Sequence, residues 1–386
     1  MIEREAASKA LQLAKQYPVV TITGPRQSGK TTLCRMIFAK KAYVSLEDVD
    51  ERQYAMNDPR GFLNRFPDGA VIDEIQRVPD LLSYIQTIVD AKQKEGYFII
   101  TGSQQFELLE GISQSLAGRT ALVRLLPFSM NEAYDFKQLD ISIDQVLYTG
   151  FYPRIFDKQL NPTEAMLFYV NTYVERDLRL LINIKDLSKF EVFLKLCAGR
   201  TGQVLNMSGL GNDCGVNHAT IKSWLSVLEA SYIIKLLGPY YKNFNKRLIK
   251  APKLYFLDTG LAAFLLDIQN ARQMAVHPLR GALFENMVLA EILKQRFNTG
   301  QTDNLYYFRD NIGNEVDLIC NQGVEIDVVE IKSGQTIAAD YFKGVRYLAR
   351  LTNTIRHSIL IYGGDKSYTR EGIRILAWRD FARCGI

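Results

Sequence analysis

Residues 19–32 read Val19-Val20-Thr21-Ile22-Thr23-Gly24-Pro25-Arg26-Gln27-Ser28-Gly29-Lys30-Thr31-Thr32. The first five are all β-branched, the pattern of a parallel strand buried on both faces. Leu33, Met36 and Ile37 follow at the spacing of one helix face. Between strand and helix stands GxxxxGK[ST], in the context that motif requires. Its glycines let backbone N–H groups wrap a phosphate, and the helix start adds partial positive charge. The spacing therefore assigns Gly24, Pro25, Arg26, Gln27, Ser28, Gly29, Lys30, Thr31 and Thr32 to the phosphates of a nucleotide. Lys30 would reach the β- and γ-phosphates, and the Thr31 hydroxyl would ligate Mg²⁺.

Outward from this stretch, further short apolar runs follow at Tyr43–Leu46, Gly69–Ile72, Tyr97–Ile100 and Thr120–Leu125. The second of these ends in Asp73-Glu74. An apolar strand ending in two acids suits one carboxylate that holds Mg²⁺ through water (Asp73). The other, Glu74, would orient or deprotonate the attacking water. The run 97–100 ends in Thr101-Gly102-Ser103, where Thr101 or Ser103 would sense the γ-phosphate. Five strands alternating with helices predict a doubly wound parallel sheet with the ligand at the carboxyl ends of the strands.

GPRQSGKTT, VIDEIQ, IITGSQQ and LAGR with LLPFS resemble, in that order and spacing, the prokaryotic AAA-type ATPases fused to a C-terminal domain of unknown function. GFYPRI (150–155), YVERD (173–177) and KAPKLYFLDTGL (250–261) extend the resemblance over nearly the whole chain. The resemblance implies ATP as ligand and substrate, Mg²⁺ as cofactor, and an arginine near the γ-phosphate. Arg119, Arg154 and Arg176 in the family-like motifs are the candidates.

Composition narrows the rest. The chain has 386 residues, 47% of them hydrophobic and 23% charged, so it is globular with two or three cores. No apolar run is long enough for a membrane span, and the acidic start Met-Ile-Glu-Arg-Glu is unlike a signal peptide. Cys34, Cys197, Cys214, Cys320 and Cys384 form no CxxC pair, which predicts reduced thiols and a cytoplasmic protein. With three histidines and no HExxH, any catalytic metal would be a hard cation on oxygen ligands. The net charge is +5, and residues 185–260 alone hold 11 basic and 5 acidic side chains. A local excess of this kind can form an electrostatic footprint for a polyanion.

Residues 136–200 read as a helical lid or linker after an ATPase core of residues 1–135. From 201 to 270 the pattern changes. A short helix Met207–Asn212, a turn at Gly215 and a helix capped by Asn217 and running to Ala230 outline a helix-turn-helix. Ile221, Trp224, Leu225 and Leu228 make its apolar face. Strands Tyr232–Leu237 and Lys253–Leu257 flank a basic, aromatic hairpin, the pattern of a winged helix. Lys222, Lys242, Lys246, Arg247 and Lys250 are the candidate DNA contacts. Asp258-Thr259-Gly260 reads as a helix-starting turn.

Residues 271–386 carry an amphipathic helix with Glu285, then strands with Glu315, Asp317, Glu330 and Lys332. This order resembles the PD-(D/E)xK nuclease fold, a restriction-endonuclease-like α/β domain. The resemblance implies a second Mg²⁺ on Glu285, Asp317 and Glu330, with Lys332 positioning water or stabilising charge. Glu315 shares the strand face of Asp317, and Arg309 reads as a phosphate contact or, more readily, as a surface pairing partner.

The leading expectation is an ATPase whose nucleotide state controls a DNA-binding winged helix and a nuclease-like module. Two alternatives stand beside it. One is a metal-dependent DNA nuclease with ATP as allosteric switch. The other is a nucleotide-switched scaffold that binds a protein partner, without DNA contact. An oligomer is compatible with each.

Overall fold

The computed structural model describes residues 2–102, 115–134, 140–174, 186–240 and 250–386. The chain divides into two compact units. The first comprises Met1–Phe128, Ala230–Tyr232 and Arg296–Gln301, and the second the remainder.

The first unit is built on five strands: β1 Val19–Thr23, β2 Ala42–Ser45, β3 Ala70–Asp73, β4 Phe98–Gly102 and β5 Thr120–Arg124. Their order is β2-β3-β4-β1-β5, and every pairing is parallel. Side chains alternate across the sheet. Val19, Ile72, Phe98 and Ile100 pack into one core, with Leu81, Leu82 and Ile85 of the helix Leu81–Lys92. Val20, Ile22, Val71, Ile99 and Val123 pack into the other. Ala6 and Ala10 of α1 (Ala6–Leu13) and Leu33 and Cys34 of α2 (Lys30–Ile37) cover that second face. The three inner strands β1, β3 and β4 are buried on both faces, which is why they read as continuous apolar runs. The sheet expectation is met, and β4 lies between β3 and β1.

The second unit begins at Ser129, and the expected boundaries at 200 and 270 fall inside it. Three helices, α3 Leu187–Ala198, α4 Met207–Cys214 and α5 His218–Ala230, precede a two-stranded antiparallel hairpin of β6 Ile234–Leu237 and β7 Lys253–Phe256. Asn206 caps α4, Gly215 ends it at φ +64°, and Asn217 Oδ1 accepts the Thr220 N–H at 2.8 Å at the start of α5. Phe190 and Phe193 pack on Trp224 with centroids 5.2 and 5.1 Å apart, holding α3 against α5.

Asp258 begins α6 (Thr259–Leu265) by accepting the Leu261 N–H at 2.9 Å on Oδ1. Its Oδ2 accepts the Phe151 N–H at 2.7 Å. The Asp-Thr-Gly stretch is thus a helix start, as its sequence suggested, and it also fastens the GFYPRI segment. A Cβ on Gly260 would lie 2.6 Å from the Thr149 carbonyl oxygen, so only glycine admits this approach.

The long helix α7 (Arg280–Asn298) carries Asn286, whose amide exchanges two 2.7 Å hydrogen bonds with the Phe256 backbone. A six-stranded mixed sheet follows, in the order β12-β13-β11-β10-β9-β8. Its members are β8 Leu305–Arg309, β9 Glu315–Gln322, β10 Glu325–Lys332, β11 Ile355–Tyr362, β12 Tyr368–Arg370 and β13 Ile373–Ala377. β9 is antiparallel to both neighbours, whereas β10, β11 and β13 run parallel.

Candidate functional site

The loop between β1 and α2 is held open from below. Gly24 has φ +152°, and a Cβ there would meet the Leu125 carbonyl oxygen at 2.0 Å, so β5 backs the loop at a distance only glycine permits. Gly29 starts α2 in the left-handed region at φ +90°. Arg4 closes the other side. Its Nη1 donates to the Ser28 carbonyl at 2.6 Å, and its Nη2 to that of Leu126 at 2.8 Å. The Ser28 hydroxyl is buried within this loop and has no hydrogen-bond partner among the described residues. An orphaned hydroxyl beside a helix start is what a phosphate oxygen would satisfy. Lys30 Nζ donates to the Gly24 and Pro25 carbonyls at 3.0 and 2.8 Å. Burial lowers its ammonium to about 8, against the pull of Glu74 and Asp73.

Opposite the loop, Asp73 ends β3. Its Oδ2 accepts from Thr31 Oγ1 at 2.8 Å and from the Tyr43 hydroxyl at 2.6 Å. Its Oδ1 accepts from Thr101 Oγ1. A hydroxyl and a carboxylate joined in this way form an oxygen donor set for Mg²⁺, so the residues fit the cofactor the motif implies. Glu74 stands next in the left-handed region, at φ +57° and ψ +48°. Gln76 Nε2 donates to its carboxylate, and Thr101 Oγ1 accepts its N–H at 3.3 Å. Thr101 therefore braces the two acids. Arg4, Tyr43 and Gln76 were not singled out in the sequence. Only Gln76, two residues past the acids in VIDEIQ, stood close enough to be noticed.

The arginines divide. Arg119 forms a two-point ion pair with Asp90, Nε to Oδ1 at 2.5 Å and Nη2 to Oδ2 at 2.9 Å. It directly precedes β5, and its carbonyl accepts the Val19 N–H. That places it at the amino ends of β1 and β5, roughly 16 Å of strand from the loop. Within this chain Arg119 is held on Asp90, at the strand ends opposite the phosphate loop. Arg154 is exposed on the helix Pro153–Asp157 of the second unit. Ser103, Arg176, Lys242, Lys246 and Arg247 lie outside the described residues. Lys222 and Lys250 are exposed, and α5 buries Ile221, Trp224, Leu225 and Leu228 as its spacing predicted, with Val227 added.

In the second unit the structure brings Glu285, Glu315, Asp317, Glu330 and Lys332 together. Asp317 Oδ2 accepts from Lys332 Nζ and from the Ile331 N–H, each at 2.8 Å, and Lys332 lies 3.4 Å from Glu330. Two residues of β7 join them. Lys253 Nζ lies 3.1 Å from Glu285 Oε1 and 2.5 Å from Glu315 Oε1. The Tyr255 hydroxyl donates to Glu285 Oε1 at 2.5 Å. Burial, then the Asp317 charge, pushes Glu285 up to about 7 and Glu330 well above the carboxylate range. Among the described residues no three Asp, Glu, His or Cys side chains form a group that could hold a metal ion. A second Mg²⁺ expected on Glu285, Asp317 and Glu330 would meet a lysine already on one oxygen of each carboxylate. Arg309 pairs with Glu315 at 3.3 Å, as its surface reading suggested.

An uncharacterized protein of Mycobacterium bovis and one of Mycobacterium tuberculosis are each 31% identical to this chain over 320 residues, 82% of this chain and 70% of theirs. The chain belongs to their family. Within this family member, residues 16–134 match the AAA domain, and the phosphate loop, Asp73, Glu74 and Thr101 all lie inside that match. It is an AAA-type ATPase domain. Residues 141–272 match a domain of unknown function (DUF8612), and residues 280–381 another (DUF4143). Among solved structures, the chain is similar to a Walker-type ATPase of Pyrococcus abyssi, at 15% identity and TM-score 0.45. That match covers 69% of this chain and 96% of the other. A Holliday junction branch migration motor of Thermotoga maritima is 20% identical at TM-score 0.32, over 61% and 90%. No helix among the described residues is long and apolar enough to cross a membrane.

Proposed function

We propose that this family member hydrolyses ATP at the loop of residues 24–32, and that its nucleotide state governs what the second unit binds. The observation that carries the first part is the 2.8 Å contact between the Thr31 hydroxyl and the Asp73 carboxylate. Backbone N–H groups of the loop and the Ser28 hydroxyl bind the phosphates. The Lys30 ammonium leaves the loop carbonyls for the β- and γ-phosphate oxygens and stabilises charge on the transferred group. Thr31 and Asp73 would hold Mg²⁺, which would supply charge neutralisation to the phosphates. Glu74 takes the proton of the attacking water, and Gln76 and Thr101 fix where its carboxylate points. Phosphate release tests this assignment. Lys30→Ala should abolish nucleotide binding, whereas Glu74→Gln should bind ATP and turn over at least about a hundredfold more slowly. Wild-type turnover in Glu74→Gln would remove the role given to that carboxylate.

A second reading concerns DNA. It is favoured by α5, whose Lys222, Ser223 and Ser226 stay exposed while its apolar face is buried. A short helix, a turn and this helix make the outline that enters a major groove. The binding would be mostly to phosphates, since α5 exposes a single lysine and no arginine. For six phosphate contacts the log–log salt slope on duplex DNA is about −5. No binding at low salt, with or without ATP, would favour a protein-binding scaffold instead.

A further inference from the structure

The carboxylate cluster of the second unit holds its own cation. Lys253 is the one base on an otherwise apolar strand, Lys-Leu-Tyr-Phe, and its side chain is 2% exposed. Its ammonium touches Glu285 of α7 and Glu315 of β9. Asp317 on the same strand as Glu315 adds its attraction, and together these charges overcome burial and hold the lysine protonated.

One oxygen of each carboxylate that a divalent ion would use is already engaged by a protein donor. Glu285 Oε1 takes both Lys253 and the Tyr255 hydroxyl, Asp317 Oδ2 takes Lys332 and a backbone N–H, and Glu330 Oε2 faces Lys332. Magnesium demands near-octahedral oxygens at about 2.1 Å, and manganese likewise prefers carboxylate and water oxygens. Much of the charge is also matched without a metal: Lys253 faces Glu285 and Glu315, Lys332 faces Asp317 and Glu330, and Arg309 faces Glu315. Adding two positive charges would unbalance a buried group that is already paired.

We propose that Lys253 is the resident cation of this cluster and fills the place of a divalent metal, so that the second unit carries a metal-independent version of the nuclease-like constellation. The cation comes from the β6–β7 hairpin and not from the six-stranded sheet that supplies Asp317, Glu330 and Lys332. Removing the ammonium while keeping the chain length should leave Glu285 and Glu315 without the cation they share, and a hard cation would restore the balance. The inference does not depend on the ATPase reading.

The test is a calorimetric titration of the full chain with Mn²⁺, without nucleotide. Wild type and Lys253→Arg are expected to show no Mn²⁺ site that depends on Asp317. Lys253→Met is expected to gain one, at least about tenfold tighter than 1 mM, and to lose it again in Lys253→Met/Asp317→Asn. If Lys253→Met does not fold alone, Mn²⁺ is expected to restore its circular dichroism spectrum and melting transition. Three results would overturn the proposal. They are a wild-type Mn²⁺ site abolished by Asp317→Asn, a folded Lys253→Met that gains no site, or an unfolded one that Mn²⁺ fails to rescue. Mg²⁺- or Mn²⁺-dependent DNA cleavage by wild type that disappears in Lys332→Ala would overturn it as well.

Discussion

Arg4 donates to the Ser28 carbonyl oxygen at 2.6 Å, across 24 residues of sequence. The same guanidinium holds the Leu126 carbonyl and lies 4.9 Å from the Phe128 ring centroid. Two ends of the first unit thereby fix the loop that receives phosphate, and a planar fork suits two carbonyls where an ammonium would not. Arg4→Met should raise the KM for ATP by about 3- to 10-fold, the worth of one or two such bonds, with kcat little changed. Steady-state kinetics separates the two constants. A KM equal to wild type would show that the loop keeps its shape unaided.

Tyr43 donates to the Asp73 oxygen that Thr31 also uses. Burial and this hydrogen bond push the phenol up to about 12, so it remains a donor at neutral pH. Tyr43→Phe removes the donor and keeps the ring that Arg35 covers at 4.0 Å. The expected outcome is a loss of kcat of about fivefold, about 1 kcal/mol, and unchanged affinity for ATP in the absence of Mg²⁺. Nucleotide titrations with and without the metal distinguish this from simple unfolding.

The phosphate loop was legible because its chemistry is local. A β-branched run, two glycines and a Lys-Thr pair act on neighbours in sequence, and Asp73-Glu74 ends its own strand. What surrounds them was not legible. Thr101 and Tyr43 reach Asp73 only because the sheet order sets β2 and β4 on either side of β3. Motif likeness offered three arginines without separating them, and only the fold puts Arg119 on Asp90, before a parallel strand and so at the edge opposite the ligand. Lys253 read as one base of a hairpin. Its partners come from a helix and a strand far along the chain, and only the Lys-x-Tyr spacing hinted that two polar groups shared a buried face.

Asp327 of β10 should give a measurable acid response. Burial raises its pKa, but Arg356 and His357 of the neighbouring strand outweigh that and hold it below the usual range. Arg356 Nε and His357 Nδ1 both lie 2.9 Å from Oδ1. With the folded value depressed, the stabilisation is present above the unfolded pKa of about 3.9 and is lost as pH falls through the folded value. Arg356→Met should cost at most about 1 kcal/mol near neutral pH, because the arginine is well exposed. Urea melts should show the gap between the two proteins closing on acidification. A gap independent of pH would mean that packing, and not charge, is what Arg356 supplies.

Asn286 completes the Phe256 backbone from inside a helix, and its Oδ1 also accepts the Thr201 hydroxyl at 2.7 Å. Asn286→Ala leaves a buried N–H, a buried carbonyl and a hydroxyl to find other partners. A loss of about 3 kcal/mol is expected, read from chemical denaturation. Asn286→Asp keeps the acceptor but loses the donor to the Phe256 carbonyl, and it should be no better. Wild-type stability in either variant would mean that water can replace the amide.

The bonds of Asp258 to Phe151 and to Leu261 carry a consequence for biosynthesis. A ribosome adding about 5–20 residues per second needs roughly 5–20 seconds to travel from one to the other. Throughout that interval the Phe151 amide has no aspartate to receive it, and the tyrosine- and phenylalanine-rich stretch after it is without its anchor. The nascent second unit therefore lacks these bonds from the emergence of residue 151 until that of residue 261, after the last strand of the ATPase sheet has been made.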